Sequence, residues 1–166
     1  MSSLSIPYNF KRVSELDYEF LTENKIRYRA SFTDASGYFP KNPEFSHQVR
    51  GFGFQIPDVH ATQIPPDPRV GATISYLALQ YFEQNPEGIL VFIHDSSDGK
   101  EHGRKKKFDI WYRKLSTGQL LKKDAEIPIG RFAILASILV RHDHPLLEQI
   151  IAGFDSLVMD ATAKPE

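Results

Sequence analysis

The chain has 166 residues, 41% hydrophobic and 25% charged, with a formal net charge of −1 and no cysteine. That length supports one domain with a real core, and the near-zero charge gives no global pull toward nucleic acid or acidic lipid. The missing thiols exclude disulfides, thiolate nucleophiles and Cys-type zinc sites, and they fit a reducing cytoplasm.

Twelve Phe and seven Tyr predict an aromatic-rich core or an aromatic surface groove. The opening "MSSLSIPYNFKR" lacks the apolar stretch of a secretory leader. The longest apolar-rich run, "FAILASILV" at 132–140, is far shorter than the roughly 20 residues of a membrane-spanning helix. A soluble cytoplasmic protein with no membrane partner is the expectation.

In chain order, "YEFLT" and "KIRYRASF" flank Glu23-Asn24 and predict a β-hairpin. Ile26, Tyr28, Ala30 and Phe32 fall on one face of the second strand; Lys25, Arg27, Arg29 and Ser31 fall on the other. Such alternation marks a sheet with one wet side. "DASGYFPKNPE" is a turn-rich loop. "QVRGFGFQIP" is a further strand, where Gly51 and Gly53 predict a bulge or the close approach of another backbone.

The period then changes. Val70, Ile74, Leu77, Tyr81 and Phe82 form the stripe of an amphipathic helix of about four turns. Asp67 and Asp58 are acidic candidates for a site, but Asp67-Pro68 reads better as helix entry. "GILVFIHD" at 88–95 is a short apolar run of the kind found in a buried inner strand. In open α/β sheets ligands favour the carboxyl ends of such strands, so this end is where a site is sought first.

That end delivers "HDSSDGKEHGRKKKFDIWYRK", residues 94–114. Asp98 and Glu101 have capping-box spacing, which predicts a helix from about Gly99 to Leu115. Its inward face is Phe108, Trp111, Tyr112 and Leu115, joined by Glu101 and Arg104. An inward arginine must be paired, because an isolated buried charge costs several kcal/mol, as an order of magnitude. Arg104 therefore either ties the helix to Asp95, Asp98 or Glu101, or presents its fork to an anion or partner at the helix N-terminus. Asp95, Asp98, Glu101 and Arg104 are the candidate binding set.

Lys105, Lys106, Lys107, Arg113 and Lys114 form a basic flank that reads first as a solvated face. Residues 100–114 hold seven basic and two acidic residues, so nucleic-acid binding is the alternative. The aromatic side chains face inward, however, and form no stacking platform. A metal reading draws on His94, Asp95 and His102 with His142 and His144, on condition that both segments reach the same sheet edge. Adjacent strand residues point to opposite faces, which weighs against it. No Gly-rich phosphate loop, HExxH or GxSxG pattern occurs.

The last predicted pair is an apolar β-branched strand in "EIPIGRFAILASILVRHDHP" and a helix in "DHPLLEQIIAGFDSL". Asp143 or His144 caps that helix, Pro145 opens it, and Leu147, Ile150, Ile151 and Phe154 form its stripe. Residues 1–157 make the domain and 158–166 a frayed tail.

"DSSDG" followed by Arg104, Phe108 and Trp111 at fixed spacing resembles a family of short bacterial proteins classed as a domain of unknown function. The aromatic strands around Tyr18–Phe32, the helix opening at Asp67–Thr73 and ending near Phe82 and Asn85, and His144-Pro145 also match. The resemblance covers roughly residues 18–154 and implies no chemistry for any residue.

The expected fold is α+β, with one sheet of about five largely antiparallel strands and about three helices packed mainly on one face. The leading functional expectation is a non-catalytic interaction or accessory module, of the kind that accompanies toxin–antitoxin or defence systems. It would act through a protein partner or its own oligomer, with no cofactor. Nucleic-acid binding through 100–114 and a metal-dependent phosphoester hydrolase are the alternatives.

Overall fold

The computed structural model describes residues 6–57, 66–94, 106–110, 112–113, 118–129 and 131–163. Among them are seven strands: β1 (Phe10–Arg12), β2 (Asp17–Leu21), β3 (Arg27–Asp34), β4 (Val49–Gln55), β5 (Ile89–His94), β6 (Leu120–Ile129) and β7 (Phe132–Arg141). They form one sheet in the order β1-β2-β3-β4-β5-β7-β6. The helices are α1 (Pro68–Gln84), α2 (helical at 106–110 and 112–113) and α3 (Leu147–Ala163).

The α+β class and the single sheet stand, but the sheet has seven strands rather than about five and is mixed. The two strands beyond expectation lie at its edges. β1 is only three residues long, too short for alternation to show. β6 carries Lys122 and Asp124 on the face where Leu120 is buried, so its apolar alternation is broken. The hairpin 17–34 forms with Tyr28, Ala30 and Phe32 buried, but it pairs Leu21 with Arg27 and Thr22 N with Ile26 O, so its connection is Glu23–Lys25 rather than Glu23-Asn24 alone. Its turn includes Lys25, which adopts the left-handed conformation (φ 63°).

Parallel pairing occurs between β4 and β5, across the α1 crossover. β5 and β6 both run antiparallel to β7, which lies between them, so they too are parallel, with α2 in their connection. Both crossovers advance in the same direction across the sheet. A common handedness therefore places α1 and α2 on the same face. α3 follows β7 with no strand left to join and packs on the opposite face. Two of the three helices thus lie on one face of the sheet, and α3 lies on the other.

Two cores result. Under α1 and α2, Tyr28, Phe32, Phe52 and Phe92 from the sheet meet Ile74, Leu77, Phe82 and Phe108. Under α3, Val49, Ile89, Ile138 and Val140 meet Ile150 and Phe154, closed by Phe39 and Phe45 from the β3–β4 loop. α3 continues through Ala163, beyond residue 157 where a frayed tail was expected.

Asp67 caps α1 by accepting from Arg69 N at 2.9 Å. Its second oxygen accepts from Tyr8 Oη at 2.5 Å, while Tyr8 N donates to Thr73 Oγ1 at 2.8 Å. The Arg69 guanidinium stands 3.9 Å over the Tyr8 ring. The acidic residue at the start of α1 is thus spent on holding the N-terminal segment.

Candidate functional site

The carboxyl end of β5 is occupied by His94, the last strand residue, which is buried. An inner strand holds it there, with β4 and β7 on either side of β5. His94 Nε2 lies 3.4 Å from Ser137 Oγ on β7. Ser137 Oγ donates to Asp124 Oδ1 on β6 at 2.7 Å. A hydroxyl has a single proton, so Ser137 meets His94 as an acceptor.

The chain of contacts continues. Both Asp124 oxygens receive Lys122 Nζ, at 2.6 and 2.7 Å. Lys122 Nζ also lies 2.6 Å from Asp109 Oδ1 on α2, and its side chain is only 9% exposed. Its ammonium sits 5.7 Å from the centre of the Phe108 ring, and Phe108 packs on Phe92 with ring centres 4.1 Å apart. Tyr112 Oη donates to Leu120 O at 2.7 Å. α2 is therefore fastened to β6 by one ion pair and one hydrogen bond, over an aromatic contact with β5.

The period-2 geometry of the strands explains this assembly. Leu120, Lys122 and Asp124 share one face of β6, and Ser137 lies opposite Asp124 across the ladder. Ser137 is fully buried. Reading the sequence alone misses Asp109, Lys122, Asp124 and Ser137 as site residues. The one signal for them is a lysine and an aspartate at core-facing positions of a strand that opens on Leu120.

The predicted site residues separate into three groups. Asp95, Asp98, Glu101, His102, Arg104, Lys105 and Lys114 lie outside the described residues. Lys106, Lys107 and Arg113 are exposed on the outer face of α2, beside the partly exposed Ile110. The histidines are far apart. His94 pairs in register with Leu135, and His142 lies seven residues further along extended chain, roughly 20 Å away. The condition for a metal site joining His94 to His142 and His144 is therefore not met.

His144 serves the backbone instead. Its Nδ1 accepts from Leu146 N at 2.9 Å, and its Nε2 reaches Glu87 O at 2.9 Å. It caps the approach to α3, while Asp143 pairs with Arg141 at 3.0 Å. The Arg141 guanidinium holds the Asp143 carboxyl below its ordinary value. Among the described residues no group of three or more His, Asp or Glu could hold a metal ion, and no helix is long and apolar enough to cross a membrane.

A family model described as a family of unknown function (DUF6169) matches residues 66–156. This stretch runs from the α1 cap into α3 and includes every residue of the strand-end cluster, while β1–β4 lie outside it. No curated protein and no solved structure matches the chain.

Proposed function

We propose that this chain, which belongs to the family of unknown function DUF6169, is a non-catalytic interaction module that works through a protein partner. The observation that carries this reading is the internal saturation of the strand-end cluster. Ser137 is fully buried and its proton is committed to Asp124. Lys122 is nearly buried and faces two carboxylates. A nucleophile needs a free lone pair, a neighbouring base and access to substrate. Ser137 and Lys122 both lack the access.

The surface that α2 offers is of a different kind. Lys106, Lys107 and Arg113 are exposed around Ile110, and Asp109 on the same helix is turned to Lys122. A cationic face with an apolar centre suits an acidic partner surface. Pairing between sheet edges fits less well, because β1 offers three residues, while β6 carries the inward charges Lys122 and Asp124 as well as Pro128. Short edge strands, inward charges and proline all oppose strand addition.

The test is co-purification from the native host, followed by reconstitution with the purified partner. Replacing Lys106, Lys107 and Arg113 together by Glu should weaken the complex at least about tenfold without lowering the melting temperature. Phosphodiester hydrolysis by the parent protein, lost in Ser137→Ala, would overturn the non-catalytic reading. The same exposed basic triad supports a second reading, nucleic-acid binding. A steep negative dependence of oligonucleotide affinity on salt, lost in the triple variant, would put that reading first.

A further inference from the structure

On the face opposite α1 and α2, α3 packs over β6 and β7. Over β3, β4 and the end of β5 a groove of about 490 Å³ runs on that face, bordered by the 3-10 turn Ser36–Tyr38. Its floor is β4 at Gly51 and Gly53. By register, Thr33 lies opposite Gly51 and Ser31 opposite Gly53 on one side, and Val91 lies opposite Gly51 on the other. One wall is thus hydroxylic, with Arg29 beyond it, and the other is aliphatic, Val91 and Ile93. Ile93 is 48% exposed although β5 is an inner strand.

The two glycines differ. A Cβ at Gly51 would meet Thr33 Oγ1 at 2.8 Å, so a side chain there would oblige Thr33 to shift. A Cβ at Gly53 would meet nothing within 4 Å, and Gly53 has no positive φ. Glycine inside a strand weakens it, and where neither backbone nor packing asks for it, open space above the strand is what it supplies.

Charges of both signs border this face. Glu19, itself buried, accepts from Arg29 Nε at 3.1 Å and Nη2 at 2.6 Å, with Arg27 Nη1 at 3.4 Å. Lys11 adds to the positive potential at Glu19, and Asp17 is the second carboxylate close to Arg29. Among the described residues, Lys11, Arg27 and Arg29 stand with Glu19 and Asp17 at this end of the groove, and Asp34 lines the other end. Arg29 is held by Glu19 through Nε and Nη2, which orients its fork and leaves Nη1 without a bond among the described residues. A guanidinium fixed in this way is prepared for an anionic acceptor. Asp34, at the far end, is occupied by Ser36 N at 2.9 Å.

We propose that this groove is a binding site for a small amphipathic anion, an aromatic carboxylate or sulfonate. The acid group meets Arg29. The apolar body lies over Gly53 against Val91 and Ile93, with Ser31, Thr33 and Tyr38 along its polar edge. The volume falls within the range of about 300–1,000 Å³ usual for small-ligand sites. This assignment is independent of the partner surface on α2.

The probe is 1-anilinonaphthalene-8-sulfonate, titrated by fluorescence against the whole chain, with uncharged N-phenyl-1-naphthylamine in parallel. One saturable site is expected, with the uncharged dye at least about tenfold weaker. Gly53→Val, which fills the floor, and Ile93→Glu, which sets a negative charge against the ligand, should each weaken the sulfonate at least about tenfold. Glu83→Gln, on the exposed side of α1, should not. Gly53→Ala adds one methyl to open space and should shift affinity in the same direction by less, which keeps the test intact if a larger variant fails to fold. The assignment is overturned by absence of saturable binding, by equal binding of the two dyes, or by binding indifferent to the Gly53 and Ile93 variants.

Discussion

The two faces of this sheet each carry a nearly buried charge held between two opposite ones. Beneath α2 the central charge is Lys122, between Asp109 and Asp124. On the open face it is Glu19, between Arg27 and Arg29. The central side chains are almost equally covered, at 9% and 8% exposure. Their partners are not: Asp109 and Asp124 are 21% and 35% exposed, Arg27 and Arg29 42% and 38%. Short carboxylates drawn onto one ammonium form a closed knot, because an ammonium is a compact charge and carries no fork. Long guanidinium side chains drawn onto one carboxylate stay partly at the surface, because each carries several donors and only some of them reach Glu19. The first arrangement binds a helix to an edge strand, and the second prepares a surface for something else.

The sharpest way to break this contrast is to remove each central charge. Lys122→Ala leaves two partly buried carboxylates facing each other and frees α2 from β6. A loss of about 3 kcal/mol is expected in denaturant unfolding. Lys122→Met should restore only the packing on Phe108 and Tyr112. A Lys122→Ala protein as stable as its parent would mean that the ion pairs contribute nothing net.

Ser137→Ala comes next. It removes a fully buried hydroxyl that donates to Asp124, and about 1.5 kcal/mol should be lost. A loss as large as that of Lys122→Ala would show the cluster to act as one cooperative network.

Glu19→Gln should destabilise less, because both arginines are screened by water. Its clearer signature is in pH. The hydrogen bond from Arg29 first, then the charges of Arg29 and Arg27, hold the Glu19 carboxyl below its ordinary value against the opposing effect of burial. Its contribution is complete at neutral pH. It declines as pH falls through the ordinary glutamate range and vanishes below the lowered native value. The parent should therefore lose stability with acid more steeply than Glu19→Gln. Parallel acid limbs in thermal melts from neutral pH to pH ~2 would show that Glu19 carries none of the acid sensitivity.

The smallest effect is expected on the outer face of α2. Exchanging Lys106, Lys107 and Arg113 for Glu should change stability by no more than about 0.5 kcal/mol, because these side chains stand in water. A larger loss would place them in the packing of α2.

Much of this architecture can be read from neighbours in sequence. Alternation exposes the inward face of β3, the stripe from Val70 to Phe82 with Asp67-Pro68 defines α1 and its cap, and an apolar run marks β5 as an inner strand. The stripe at Ile150 and Phe154, entered through His144, defines α3. Each is a local signal, set by the repeat of a helix or strand and by which side chains can reach the next few amides. The bulge or close backbone approach that Gly51 and Gly53 suggest does not occur: the β3–β4 ladder is regular through both, a Cβ at Gly51 would meet the Thr33 side chain, and one at Gly53 would meet nothing within 4 Å.

The remaining features arise from packing between distant elements. The insertion of β7 between β5 and β6, the parallel pairing of β4 with β5, and the choice of face for α3 depend on contacts between residues tens of positions apart. The same holds for charge. Lys122 reads in sequence as one more surface lysine beside Lys123. It becomes a buried centre because β6 pairs with β7 and brings Ser137 against Asp124, while α2 lowers Asp109 onto it. A charged side chain accepts burial only where opposite charges from other elements arrive together. That meeting is a property of the packed sheet and helices, written in no single stretch of the chain.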